Sequence, residues 1–94
     1  MPKELTPSER QKLKGRAHPL DPVVTIGAAG LTPAVLAETE RALQAHDLIK
    51  VKVAGAERVQ RAALMDALCA ATNASPVQTI GKVLVIYRPR PDGN

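Results

Sequence analysis

Val23-Val24-Thr25-Ile26 runs without a break into Gly27-Ala28-Ala29-Gly30 and then into Leu31-Thr32-Pro33. Strand formers meet a Gly-x-x-Gly turn, and Thr32 and Pro33 follow as N-cap and first helical residue. That order leaves one local solution: strand, tight turn, helix. Glycine serves where the backbone takes a positive φ or must lie close to something else. The helix start just beyond supplies unpaired N–H groups and the positive end of a dipole. Together these make a seat suited to a phosphate. Gly27, Ala28, Ala29 and Gly30 are the first candidate binding residues.

Upstream, Thr6-Pro7-Ser8-Glu9 is a capping box with proline in the first turn, and it opens a helix to about Ala17. Its apolar face is thin, chiefly Leu13 and Ala17. At 100° per residue from Leu13, Arg10 and Lys14 fall on one flank, with Lys12 and Arg16 on the other. Such a helix is either a solvated face or the footprint of a polyanion. His18-Pro19-Leu20-Asp21-Pro22 cannot continue it, because each proline keeps its predecessor out of the helical region. His18 reads as a linker residue. The strand that follows, Val23 to Ile26, is apolar on both faces and is expected inside the sheet.

Downstream, Pro33 to about His46 is amphipathic, with Val35, Leu36, Thr39, Ala42, Leu43 and His46 sharing a face. Leu48 to Val53 alternates: Ile49, Val51 and Val53 face the core, while Lys50 and Lys52 face outward. Those lysines protect a sheet edge, extend a basic surface, or do both. A third helix is expected from about Ala56 to Thr72, its stripe Leu64, Leu68 and Ala71 flanked by Met65 and Ala67. Cys69 reads as a small apolar residue, and Asn73 as a left-handed C-cap. Pro76 opens a strand, Val77 to Ile80, and Gly81-Lys82 is a glycine-first hairpin turn. Val83 to Arg88 is apolar on both faces and should be central, and Pro89 to Asn94 is a frayed tail. The expected fold is α/β: one compact domain of order α-β-α-β-α-β-β, with a mixed four-stranded sheet and packed helices.

With 94 residues the chain suits one domain over 1–94. It has no apolar run of membrane-spanning length and no signal-peptide pattern, so a cytoplasmic monomer is expected. One cysteine and two separated histidines offer no zinc spacing, and no cofactor is implied. A formal charge of +4 favours polyanionic partners. Tyr87 is the sole aromatic residue, which excludes base stacking on several aromatic platforms. Any nucleic-acid binding must then work through charge, backbone amides and shape. Beside the turn, the candidate phosphate contacts are Lys12, Arg16, Lys50, Lys52, Lys82 and Arg88.

Five ordered blocks resemble a known family. They are Leu13-Lys14-Gly15 with Ala17-His18-Pro19-Leu20 and Pro22-Val23-Val24; Ile26-Gly27 with Gly30-Leu31-Thr32; Leu48-Ile49-Lys50-Val51-Lys52; Val77-Gln78 with Ile80-Gly81-Lys82; and Leu84-Val85 with Tyr87-Arg88. Over about residues 5–88 the chain is similar to the CRS1–YhbY (CRM) RNA-binding domain in its small stand-alone bacterial form. That resemblance implies a fold like the C-terminal domain of a bacterial translation initiation factor, with RNA binding as the shared activity. Stand-alone bacterial members are associated with precursors of the large ribosomal subunit, and plant relatives with intron splicing. Where the family's loop usually carries a basic or polar residue, this chain has Ala28 and Ala29. Contacts there fall to backbone N–H groups.

The leading reading is a non-catalytic protein that binds ribosomal RNA in large-subunit precursors, with ribosomal proteins as further partners. The alternative is a ribosome-associated protein-interaction module that touches RNA only incidentally. No nucleophile set, paired carboxylates, metal cluster or nucleotide fingerprint supports an enzyme.

Overall fold

The computed structural model describes residues 4–90. Its elements are α1 (Pro7–Ala17), β1 (Val24–Ile26), α2 (Pro33–Ala45), β2 (Leu48–Val53), α3 (Arg58–Thr72), β3 (Ser75–Ile80) and β4 (Val83–Tyr87). The expected order holds, and the sheet runs β1-β2-β4-β3. β1 and β2 are parallel; β4 is antiparallel to both β2 and β3. The final hairpin therefore places β4 inside the sheet, and β1, β2 and β3 all point the same way.

Local chemistry sets the helix ends. Thr6 Oγ1 accepts from the Glu9 N–H at 3.1 Å, and Glu9 Oε1 accepts from the Thr6 N–H at 3.0 Å. Thr32 Oγ1 accepts from the Val35 N–H at 3.2 Å, with Pro33 next in the chain. Asn73 closes α3 at φ 59°. At the hairpin, Gly81 has φ 56° while Lys82 stays out of the left-handed region, which is the glycine-first turn.

Two clusters sandwich the sheet. α2 and α3 cover one face, where Leu43 and Leu68 meet Ile26, Ile49, Val51 and Leu84. α1 covers part of the other, where Leu13, Ala17 and the preceding Leu5 meet Leu48, Val77 and Val85. The hydroxyls of the buried Thr39 and Thr72 donate to the carbonyls of Val35 and Leu68 within their own helices, so neither is left unsatisfied.

Five expectations change. β1 is an edge strand rather than an interior one, because β2 has β4 on its other side; Val23 is 53% exposed and lies before the strand. β2 is central, so its lysines protect no edge. α3 starts at Arg58, and its buried stripe is Met65, Leu68, Cys69 and Thr72, with Leu64 half-buried and Ala67 and Ala71 exposed. The bulkier Met65 and Leu68 set the helix phase, which alanine leaves open. His46 is the exposed C-cap of α2 and not part of its buried face. β3 begins at Ser75, and a bulge between Pro76 and Gln78 lets Val77 join the α1 cluster. Pro76 is tolerated because β3 is an edge strand. Of the tail, residues 91–94 lie outside the described residues; Arg90 donates to the Ala45 carbonyl at 3.2 Å.

Candidate nucleic-acid interface

Because β1, β2 and β3 run the same way, the segments that follow them share one end of the sheet. These are Gly27–Gly30, Ala54–Gly55–Ala56 and Gly81–Lys82. Main-chain bonds tie them together: the Ala54 N–H donates to the Ile26 carbonyl at 2.9 Å, and the Val53 N–H to the Lys82 carbonyl at 2.7 Å.

The glycine turn is built from two closures. The Gly30 N–H donates to the Gly27 carbonyl, and the Thr32 N–H to the Gly30 carbonyl, each at 3.0 Å. Gly30 has φ +75°, so this position favours glycine, whereas Gly27 is not in the left-handed region. Nothing lies within 4 Å of a Cβ built on either residue, so space alone does not demand glycine at Gly27. The amides of Ala28, Ala29 and Leu31 find no acceptor among the described residues. Ala28 and Ala29 are exposed, and their amides and small side chains leave the turn open to an anion.

Cross-strand register places the lysines. Thr25 pairs with Lys52, Lys52 with Val83, and Val83 with Ile80, so these four form one row on the α1 face nearest the turns. Lys50 sits in the next row, opposite Val85 and Gln78. Alternation puts Lys50 and Lys52 on one face, about 7 Å apart along the strand. Lys50 Nζ donates to the His18 carbonyl at 3.4 Å. Lys52 and Lys82 are exposed, and their side chains have no partner among the described residues.

The other candidates separate. Arg16 donates to Asp47 at 2.8 Å, and with Lys12 it borders Tyr87 at the opposite end of the sheet. Arg88 is committed to structure: Nη1 and Nη2 donate to Glu40 Oε1 and Oε2 at 2.9 and 2.8 Å, and Nη1 also reaches the Thr72 carbonyl at 2.9 Å. The Arg88 guanidinium holds the Glu40 carboxyl below its ordinary pKa. Burial, helped by Asp66, pushes the Cys69 thiol up to about 11.

The Lys12 and Arg16 flank of α1 faces Asp47 and Tyr87, and Arg10 and Lys14 lie on the helix's other flank. Arg10 and Lys14 are half-buried and have no ionic partner among the described residues. Arg58 and Arg61 were missed: with Thr79 and Gly81 they line a depression of about 370 Å³ beside the hairpin turn. Their only sequence signal was their place in the first turn of α3. No group of three His, Cys, Asp or Glu side chains among the described residues could hold a metal.

Fold and site together define a small α/β domain with an anion-compatible sheet end. The profile of the CRS1 / YhbY (CRM) domain matches residues 5–88, and the chain belongs to that family. It is 54% identical over 85 residues to a Haemophilus influenzae protein named RNA-binding protein, covering 90% of this chain and 86% of that one. A Pseudomonas aeruginosa protein named a probable RNA-binding protein is 49% identical over 90 residues, covering 96% and 86%. The solution structure of a Staphylococcus aureus protein superimposes with TM-score 0.82 at 33% identity, covering 90% of this chain and 88% of that one.

Proposed function

We propose that this protein is a non-catalytic RNA-binding protein that joins precursors of the large ribosomal subunit in the cytoplasm. The observation that carries the reading is the meeting of unpaired lysines and an open glycine turn at one end of the sheet. Arg16 and Arg88 are paired with carboxylates, whereas the side chains of Lys52 and Lys82, without partners among the described residues, stand at the end where the glycine turn presents free amides. Phosphates would lie on the turn and between these side chains. The names of the relatives support RNA as the polyanion.

Binding of a structured ribosomal RNA fragment, followed by anisotropy, tests the activity. Sedimentation of the tagged protein with precursor large subunits tests the assembly role. Failure to bind RNA removes the reading, and binding without co-sedimentation removes the ribosomal part.

A second reading, a protein-interaction module, is favoured by one observation: Val23, just before β1, and Ile80, in the row that carries Lys52, are 53% and 51% exposed. Under that reading, association with ribosomal particles survives nuclease digestion; under the first it does not.

A further inference from the structure

A cavity of about 570 Å³ opens between the glycine turn, the Ala54–Gly55–Ala56 segment and α3. It falls within the size range of sites that enclose small organic groups, roughly 300–1,000 Å³. Val53 and Leu64 line it with Ala63 and Ala67, and Gln60 is the one polar side chain on its wall. Gln60 Oε1 accepts from the Glu57 N–H at 3.0 Å, which leaves its Nε2 without an acceptor among the described residues. No charged side chain lines the cavity. A phosphate has no counter-charge inside it. A flat uncharged ring with acceptors on its edge suits both the apolar walls and the free amide.

The cavity shares Gly27, Ala28 and Gly30 with the turn. A nucleotide whose phosphate rests on the amides of Ala28 and Ala29 therefore has its base next to the opening. The unpaired Lys52 and Lys82 at the same sheet end draw the rest of the strand there. Tyr87 pairs with Leu48 and Ser75 at the opposite end, so aromatic stacking is not available at the turn. We infer that this cavity takes one unstacked nucleobase of the RNA strand whose phosphate sits on the glycine turn. The inference rests on the RNA-binding reading above. It adds that the protein prefers RNA with an unpaired nucleotide, because a base held in a duplex cannot enter.

The test fills the cavity. Ala63 and Ala67 are exposed and lie inside α3, where leucine is a good helix former, so Ala63→Leu and Ala67→Leu should narrow the opening without disturbing the core. The probes are a short single-stranded oligoribonucleotide carrying one 2-aminopurine and a duplex of the same sequence. Each variant should bind the single strand about tenfold more weakly, a loss of about 1.4 kcal/mol. Each should also lose the emission change seen with the natural protein and bind the duplex unchanged. Ala70→Leu, exposed on α3 and lining neither this cavity nor the Arg58 and Arg61 depression, should behave like the natural protein. Natural single-strand affinity and emission in both cavity variants would overturn the inference. So would equal weakening for single strand and duplex, which would mean a distorted turn. If the natural protein bound neither RNA, the RNA-binding reading would fall as well.

Discussion

The Arg88 guanidinium grips the Glu40 carboxylate through two hydrogen bonds, 2.9 and 2.8 Å long, joining residues 48 positions apart. One side chain thus ties the end of β4 to the middle of α2, and its third bond reaches the Thr72 carbonyl in the last turn of α3. The Arg88 side chain is 17% exposed and the Glu40 side chain 43%. The pair is therefore partly screened by water. Removing Arg88 leaves Glu40 to solvent but strips a carbonyl of its donor. Arg88→Ala should lower unfolding stability by about 1–2 kcal/mol in urea titrations, while the folded protein keeps its RNA affinity.

The same pair sets an acid dependence. Arg88 holds the folded pKa of Glu40 below the ordinary value of 4.5. The stabilisation is complete above that unfolded value and disappears as pH falls through the lowered folded one. Urea midpoints should fall as pH drops from about 5 to about 3, and Glu40→Gln should remove this part of the slope. An unchanged slope in the variant would show that Glu40 carries no linkage.

Burial protects Cys69. The residue is 4% exposed, and its thiol pKa is raised to about 11, so little thiolate exists near neutral pH. A thiol reagent should react with it only at the rate of unfolding, and addition of urea should release one equivalent promptly.

Gly30 separates fold from binding. At φ +75° with open space around its Cβ position, Gly30→Asp should cost roughly 1 kcal/mol of backbone strain, since aspartate enters the left-handed region more readily than most residues. Its carboxylate would face the phosphate seat. Circular dichroism should report a folded protein, and a gel shift should report affinity reduced at least about tenfold, as expected where a like charge meets a phosphate.

What the sequence made legible was local. Thr6, Thr32, Asn73 and Gly81 each act through atoms a few residues away, so their capping and turn roles follow from short stretches. The glycine turn was legible for the same reason. The place of β1 at the edge was not, because it depends on β4 pairing with β2 across an intervening helix and strand. The phase of α3 was ambiguous because its many alanines fit either a buried or an exposed face. Among the candidate site residues, the placement of Lys50 and Lys52 on one sheet face and of Lys82 in the hairpin turn followed from alternation and turn chemistry. Arg88 did not, because Glu40 reaches it only through the tertiary fold. Arg16 was likewise out of reach, since its partner Asp47 is 31 residues away.

The central claim is that the glycine end of the sheet, and not the Tyr87 end, meets the RNA backbone. It is tested most directly by the salt dependence of affinity. Each phosphate neutralised on a single strand contributes about −0.7 to the slope of log affinity against log salt. The double variant Lys52→Gln/Lys82→Gln should flatten that slope by about 1.4, whereas Lys12→Gln/Arg16→Gln should leave it as in the natural protein. A natural slope in the first variant and a flattened one in the second would contradict the account and move the interface to the other end of the sheet.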